Sequence, residues 1–320
     1  MKQPRVGSES HVPSVVAVVQ AASVAFDRKR TIEKAVDLTR DAAKAGARLV
    51  LFPEAFISGY PRGLDFGAVV GARSDAGRED YRRYWESAVD VPGPEVETLG
   101  KAARANSVYL VMGVIERERG TLYCCVLFFA PDGTFLGKHR KVMPTASERL
   151  IWGYGDGSTL PVFETPLGRV GAVICWENYM PLLRTYMYSL GIEIYCAPTA
   201  DHRETWPSTM QHIALEGRCF VLGCNQFNRR RDFPEKYNSA FGDSPDAVIS
   251  RGGSCIVDPF GKFLAGPNFA EETILVAELD RSLLAKGKFD FDAVGHYARP
   301  DIFQLVVDDQ PKPVVVKAKK

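Results

Sequence analysis

Three predicted strands of the sequence each lead into a polar residue that can take part in chemistry. Glu54 follows the apolar run 49–52 and Pro53, Lys141 closes the run 135–141, and Cys175 follows the run 170–174. A carboxylate, an ammonium and a thiol are sufficient for a nucleophilic site that uses no histidine. In such a site the lysine favours the thiolate, and the glutamate accepts the thiol proton and then activates water.

Cys175 lies where α/β proteins commonly place reactive groups. The run 170–174 predicts a buried strand, and Pro181 is suited to the first position of a following helix. A thiol between a strand end and a helix start faces backbone N–H groups, which favour a thiolate. Two structural alternatives stay open: a core cysteine for Cys175, and a buried ion pair for Glu54 and Lys141.

The composition is that of a folded protein without a strong charge bias. The chain has 320 residues, of which 46% are hydrophobic and 25% charged, with a formal net charge of +1. This predicts one large domain or two small ones and gives no electrostatic reason to expect nucleic acid or membrane partners. Residues 1–13 are polar and predict a flexible N-terminus without a signal peptide, so we expect a cytoplasmic protein.

Cysteine and histidine usage argues against disulfides, metals and nucleotide cofactors. The seven cysteines are an odd number in mostly apolar surroundings, which is typical of reduced core thiols. The five histidines show no metal-ligand spacing, and no glycine-rich phosphate loop occurs. We therefore expect no metal and no cofactor.

The order of predicted elements places the protein in the α/β class. Strands are predicted over 14–20 and 48–52, with a helix between them that Asp27 caps and Gly46 ends. The second half repeats this order, which suggests two sheet-plus-helix halves that pack sheet against sheet.

Three segments fall outside these elements. Residues 57–94 form a region too long for a simple connection, and its Tyr81, Tyr84 and Trp85 predict an exposed aromatic contact surface. Residues 228–251 are charged and rich in turn residues, which predicts a surface loop. The segment from Gly295 onward has little periodicity, and its lysine-rich end is expected to fray.

The chemistry-bearing residues stand in motifs that resemble the nitrilase branch of the carbon–nitrogen hydrolase superfamily, in particular plant-type and cyanoalanine-processing nitrilases and their bacterial relatives. The main motifs are Leu51-Phe52-Pro53-Glu54-Ala55-Phe56-Ile57-Ser58-Gly59-Tyr60-Pro61, His139-Arg140-Lys141-Val142-Met143-Pro144-Thr145 and Cys175-Trp176-Glu177-Asn178. The segments 152–157, 197–201 and 295–300 match as well, so the resemblance covers about Ser14 to Pro300.

The resemblance implies a fold and a domain organisation. The fold is a four-layer α-β-β-α sandwich of two pseudo-equivalent halves. A carbon–nitrogen hydrolase domain spans residues 14–294, and residues 295–320 form a C-terminal tail at a subunit interface. Family members form dimers that extend into spiral or helical homo-oligomers, and a second contact is expected on the helix after Cys175, which carries Leu182, Leu183 and Met187.

The resemblance also assigns roles. Cys175 is the nucleophile, Glu54 the general base, Lys141 the catalytic lysine and Glu148 a second glutamate of the site. Trp176 offers its backbone N–H to the substrate, and the remaining expected pocket residues are Tyr60, Thr199, Trp206 and His202. Glu177 and Asn178 are expected to support the structure. For Glu148 a solvated surface charge is the alternative, for His202 a surface position, and for the aromatic residues Tyr60 and Trp206 a place in the core.

The implied reaction is hydrolysis of a small-molecule nitrile by water to a carboxylic acid and ammonia, with some amide as a by-product. Two alternatives remain: an amidase or carbamoyl-amide hydrolase of the same superfamily, and a non-catalytic assembly protein. The sequence does not rank aliphatic, aryl and amino-acid nitriles as substrates. It also does not predict the ratio of acid to amide.

Overall fold

The computed structural model describes residues 14–237, 240–242 and 244–317, so the expected flexible N-terminus lies outside the described residues. The helices, numbered along the chain, are α1 (Arg28–Lys44), α2 (Asp75–Ser87), α3 (Pro94–Asn106), α4 (Pro181–Ser189), α5 (Trp206–Gly217) and α6 (Ser282–Asp290). The strands are β1 (Ser14–Gln20), β2 (Leu49–Leu51), β3 (Ala68–Val69), β4 (Ala72–Arg73), β5 (Val89–Asp90), β6 (Tyr109–Glu118), β7 (Thr121–Phe129), β8 (Phe135–Arg140), β9 (Val162–Thr165), β10 (Gly168–Ala172), β11 (Ile194–Thr199), β12 (Phe220–Asn225), β13 (Phe227–Arg229), β14 (Val248–Arg251), β15 (Ser254–Val257), β16 (Phe263–Asn268) and β17 (Thr273–Leu279).

Two large sheets share one topology. The first has the strand order β17-β1-β2-β6-β7-β8, with β5 paired to β6, and the second has the order β16-β15-β12-β11-β10-β9. In the first sheet β1, β2 and β6 are parallel, and in the second β10, β11 and β12 are parallel. Each parallel trio is flanked on both sides by antiparallel strands. The predicted repetition of the two halves is therefore confirmed.

The sheets pack face to face and carry helices on their outer faces. A core lies between the sheets, where β1 and β2 contribute Val18 and Leu51 while β10 and β12 contribute Ala172 and Leu222. A second core fills the space between the first sheet and helices α1 and α3, and a third fills the space between the second sheet and helices α4 and α5. The four-layer α-β-β-α sandwich is thus confirmed, since each sheet buries both of its faces.

The aromatic cluster of the 57–94 region corrects one expectation. Helix α2 directs Tyr84 into the interior, where it is fully buried. The Tyr81 hydroxyl donates to the carbonyl of Gly120, and the Trp85 indole donates to the carbonyl of Arg119. The expectation of three exposed rings is therefore wrong for Tyr84, while Tyr81 and Trp85 are half-buried. The spacing of these rings is that of the inner face of a helix, which explains the difference.

Two other segments also differ in part from expectation. Within residues 228–251, β13 and β14 form a short hairpin, and Arg230 is buried because its guanidinium donates to the carbonyls of Pro234 and Tyr237. On α4, Met187 is fully buried in the subunit, whereas Leu182 is 67% exposed.

The tail from Gly295 contains no helix or strand over the described residues, and its Lys312 amide donates to Asp156.

A close backbone approach holds the segment after β2 against β6. The amide of Ile57 donates to the carbonyl of Gly113 at 3.0 Å, and a side-chain carbon added to Gly113 would lie 1.9 Å from the Pro53 carbonyl oxygen. Only glycine allows this approach, which fixes the position of Glu54 in the following turn.

We expect Gly113→Ala to lower the free energy of unfolding by about 1–3 kcal/mol or more, because the added methyl group forces two backbone segments apart. Gly120→Ala is the control, since nothing lies within 4 Å of the added carbon. Thermal unfolding of both variants in one buffer measures the difference. Equal unfolding temperatures of Gly113→Ala and wild type would contradict this account of the turn.

Candidate active site

Cys175 lies in a tight turn rather than at the strand end itself. Strand β10 ends at Ala172, and a 3₁₀ helix over Cys175–Tyr179 leads into α4. Cys175 has a φ of +52°, a left-handed backbone conformation that costs about 1–3 kcal/mol for a residue with a side chain. The Asn178 side chain holds this turn by donating to the carbonyls of Cys175 and Val173 at 2.7 and 3.0 Å. The thiol is 4% exposed, so the turn points a reactive group into the interior.

Glu54 reaches the same place from the first sheet. It follows β2 in a turn where Ala55 has a φ of +51°, and its side chain is fully buried. Its Oε1 accepts from Lys141 Nζ at 2.7 Å and lies 3.5 Å from the Sγ of Cys124. Its Oε2 has no hydrogen-bond partner among the described residues. One carboxylate oxygen is therefore free to accept a proton.

Lys141 lies between two carboxylates. It follows β8 directly, its side chain is fully buried, and Nζ donates to Glu54 Oε1 and to Glu148 Oε2 at 2.7 Å each. Glu148 is 6% exposed and also accepts from the Tyr60 hydroxyl at 2.6 Å and from the Thr145 amide at 2.6 Å. The structure thus brings Glu148 to the cluster, where it is buried rather than a solvated surface charge.

Burial and neighbouring charges set the protonation states. Burial, followed by the nearby charge of Glu54, raises the pKa of the Cys175 thiol, and the opposing effects of Lys141 and Thr199 do not compensate. Burial also raises the pKa of Glu54 against the charge of Lys141. For Lys141, burial opposes the charged form, but Glu54, Cys175 and Glu148 outweigh it and raise the pKa. Lys141 thus favours the thiolate, as expected, but burial and the charge of Glu54 outweigh it and the pKa of the thiol is raised.

A cavity of about 280 Å³ opens onto the thiol. Its lining residues are Tyr60, Arg62, Thr145, Glu148, Cys175, Trp176, Ala200, Asp201, His202 and Arg203. Three expected pocket residues, Tyr60, Trp176 and His202, thus lie at the cavity. Thr199 does not line it but donates from Oγ1 to the Cys175 sulfur at 3.2 Å.

Trp206 is the expected pocket residue that the structure places elsewhere. It is 1% exposed in the core between the second sheet and its helices, with its ring 5.9 Å from that of Tyr179. It opens α5, and Met210 and Ile213 follow it on the same buried face. This spacing of four and seven residues is the signal for a core face that could have placed it correctly.

The rim of the cavity contains charged residues that sequence reasoning missed. The Trp176 indole donates to Asp201 Oδ2 at 2.9 Å, and Arg203 pairs with the same carboxylate while its guanidinium lies 4.8 Å from the Trp176 ring. Arg62 donates to the Ala200 carbonyl. Asp201 ends the matching segment 197–201, but no motif covers Arg62 and Arg203, which loops after the strands bring to the cavity.

His202 is neutral at physiological pH. Burial and the nearby charge of Arg62 lower its pKa to about 4, and its Nδ1 has no hydrogen-bond partner among the described residues. Over the same described ranges, no group of three or more His, Cys, Asp or Glu side chains is arranged to hold a metal ion. No described helix has the length and apolar character to cross a bilayer.

Comparison with known proteins agrees with this arrangement. The profile of the carbon–nitrogen hydrolase family matches residues 15–289. The chain is 62% identical to a nitrilase of Bradyrhizobium diazoefficiens over 93% of each chain, and 57% identical to a bifunctional nitrilase/nitrile hydratase of Lupinus angustifolius over 95% of this chain and 89% of the relative. Among solved structures, a carbon–nitrogen hydrolase of Helicobacter pylori has a similar fold, with a TM-score of 0.72, 22% identity, and coverage of 92% of this chain and 97% of that chain. The chain therefore belongs to the carbon–nitrogen hydrolase family, in its nitrilase branch.

Proposed function

We propose that the protein is a nitrilase that hydrolyses a small organic nitrile to a carboxylic acid and ammonia. The observation that carries this proposal is the buried contact of Lys141 with both Glu54 and Glu148 beside the Cys175 thiol. The names of the relatives at 57–62% identity support it, since each names a nitrilase.

In the first half-reaction Cys175 is the nucleophile and Glu54 the base. The thiol proton passes to Glu54 as the sulfur adds to the nitrile carbon, and Glu54 then returns this proton to the nitrile nitrogen, which gives a thioimidate. Lys141, held by Glu148, stabilises the negative charge that develops on the nitrogen. A neutral resting thiol suits this order, because the proton leaves as the bond forms.

The second half-reaction uses two waters. Glu54 takes a proton from the first water, which adds to the thioimidate carbon, and returns it to the nitrogen of the tetrahedral intermediate. The nitrogen also takes the hydroxyl proton and departs as ammonia, which leaves an acyl thioester on Cys175. A second water, activated by Glu54 in the same way, adds to the thioester carbon, and its proton passes to the departing sulfur, which releases the carboxylic acid and the free thiol. Expulsion of the thiol from the same tetrahedral intermediate instead gives an amide. We propose the amide as a minor product, which the bifunctional name of the lupin relative supports.

The remaining proposals concern the pocket, the cell compartment and the assembly. Tyr60, Trp176 and His202 bind the substrate, with the Trp176 amide facing its nitrogen.

All seven cysteines are free and buried, which supports a cytoplasmic, reducing location. Residues 14–294 form the catalytic domain, and the tail from 295 lies at a subunit interface of a homo-oligomer built from dimers. Its exposed Val314, Val315 and Val316 support this, and light scattering that finds only a 35.3 kDa species with full activity would exclude it.

Cys175→Ala is expected to abolish turnover, because Cys175 is the cysteine that lines the cavity. Cys219→Ala is the matched control, since Cys219 is equally buried but lies in the core between the second sheet and its helices. Intact-protein mass after one equivalent of nitrile should show an adduct on wild type and on the control variant alone. Normal turnover by Cys175→Ala would refute the assignment.

Glu54→Gln is expected to lower kcat about 10²–10⁴-fold, because the amide cannot accept the thiol proton. Lys141→Met should lower kcat about 10²–10³-fold through the loss of charge stabilisation. Steady-state kinetics measure both, with Lys101→Met, an exposed lysine on α3, as control. Activity of the Glu54 variant within tenfold of wild type would remove Glu54 from the role of base.

The acid limb of the pH profile of kcat/KM should respond to Glu148. The charge of Glu148 raises the pKa of Glu54, so Glu148→Gln lowers it and shifts the acid limb to lower pH, along with a steep fall in kcat. Glu97→Gln, an exposed position on α3, should change neither quantity. An acid limb that stays in place or shifts to higher pH in Glu148→Gln would contradict this coupling.

A further inference from the structure

One buried carboxylate, that of Glu177, contacts the backbone beside two of the proposed catalytic residues. Its Oε1 accepts from the amide of Val142, the residue after Lys141, at 2.6 Å. Its Oε2 accepts from the amide of Ile174, the residue before Cys175, at 2.8 Å. Glu177 is 1% exposed, so no solvent competes for these contacts.

His139 completes the arrangement from the strand that carries Lys141. Its ring is fully buried, with Nε2 at 2.9 Å from Glu177 Oε2 and Nδ1 at 2.6 Å from the carbonyl oxygen of Thr159. Both ring nitrogens thus face oxygen atoms. Glu177 therefore has three hydrogen-bond partners, two backbone amides and the His139 ring, so its carboxylate is fixed in place.

The bonds of Glu177 join the two sheets at the reacting groups. His139 lies in β8 of the first sheet, and Lys141 directly follows that strand. Ile174 and Cys175 follow β10 in the second sheet. Lys141 and Cys175 must keep a fixed separation for charge stabilisation, and an error of about 1 Å costs on the order of 10²-fold in rate. Neither residue contacts Glu177 through its own side chain, so Glu177 acts on them only through the backbone.

We propose that Glu177 is a positioning residue that, together with His139, sets the distance between the Cys175 thiol and the Lys141–Glu54 pair. This inference rests on the proposed nitrile hydrolysis for its kinetic readout. A positioning role differs from a purely stabilising one, because its loss lowers kcat and changes the pH dependence of thiol alkylation in protein that is still fully folded.

The test compares Glu177→Gln with Glu216→Gln. Glu216 also forms a partly buried ion pair, with Arg184 at 2.7 Å, but it lies away from the cavity on α5 and so serves as a matched control for stability. We expect both variants to lower the unfolding temperature. Only Glu177→Gln should lower kcat, by about 100-fold, with KM changed less than about threefold. His139→Gln, which keeps a side-chain donor, gives a second variant and should lower kcat about tenfold.

A second readout does not depend on nitrile turnover. The rate at which iodoacetamide alkylates Cys175 is measured against pH in wild type and in each variant, with Cys175→Ala as the blank. In wild type Glu54 takes the thiol proton, so the pH of half-maximal rate follows Glu54. In Glu177→Gln the pH of half-maximal rate should move towards about 8.5, the pKa of a free cysteine.

Four outcomes separate the possibilities. An unchanged kcat and an unchanged alkylation profile in folded Glu177→Gln would overturn the positioning role, as would equal losses of kcat in Glu177→Gln and Glu216→Gln. If Glu177→Gln does not fold, an unchanged alkylation profile in His139→Gln would overturn it. If wild type hydrolyses no nitrile but the alkylation profile shifts as expected, the proposed function fails while the positioning role of Glu177 is supported.

Discussion

The structure depends on one buried ammonium group, that of Lys141, and on the two carboxylates that keep it charged. A charge removed from water is costly, and the loss of one partner of a buried ion pair destabilises a protein by about 3–5 kcal/mol. Lys141 meets Glu54 and Glu148 at 2.7 Å each, and all three side chains are buried. Glu54 and Lys141 come from β2 and β8 of one sheet and Cys175 from the other sheet, so the site exists only when the two halves pack together.

The same cluster explains why the pKa of the Cys175 thiol is raised. Two carboxylates and one ammonium leave a net negative charge beside Cys175, and a buried thiolate would add a second one. Burial and Glu54 accordingly raise the pKa of the thiol. The free Oε2 of Glu54 offers a place for the thiol proton at the moment the sulfur adds to its target. The site therefore supplies a base and a stabilising cation rather than a preformed nucleophile.

Much of this could be predicted from the sequence, because buried strands and the polar residues that follow them leave a clear pattern. The bounds of β1 agree with the predicted range 14–20, and Glu54, Lys141 and Cys175 follow strands of the core as expected. Two aromatic residues were assigned wrongly although helical periodicity marks their positions as buried: Tyr84 and Trp206 both lie on the inner faces of helices. Asp201 ends the matching segment 197–201, but no pattern in the sequence marks Arg62 and Arg203 as neighbours of the site, since loops bring them to the cavity. The raised pKa of Cys175 could not be predicted either, because it depends on distances and burial that residue types alone do not contain.

The most direct measurement is ammonia release from a nitrile beside its matching amide, with the purified wild-type chain at equal substrate concentrations. The account predicts rapid release from the nitrile, formation of the carboxylic acid with a minor amide fraction, and much slower release from the amide. Release from the amide alone would make the enzyme an amidase. Release from neither substrate, across aliphatic, aryl and amino-acid nitriles, would contradict the account and favour a non-catalytic assembly protein.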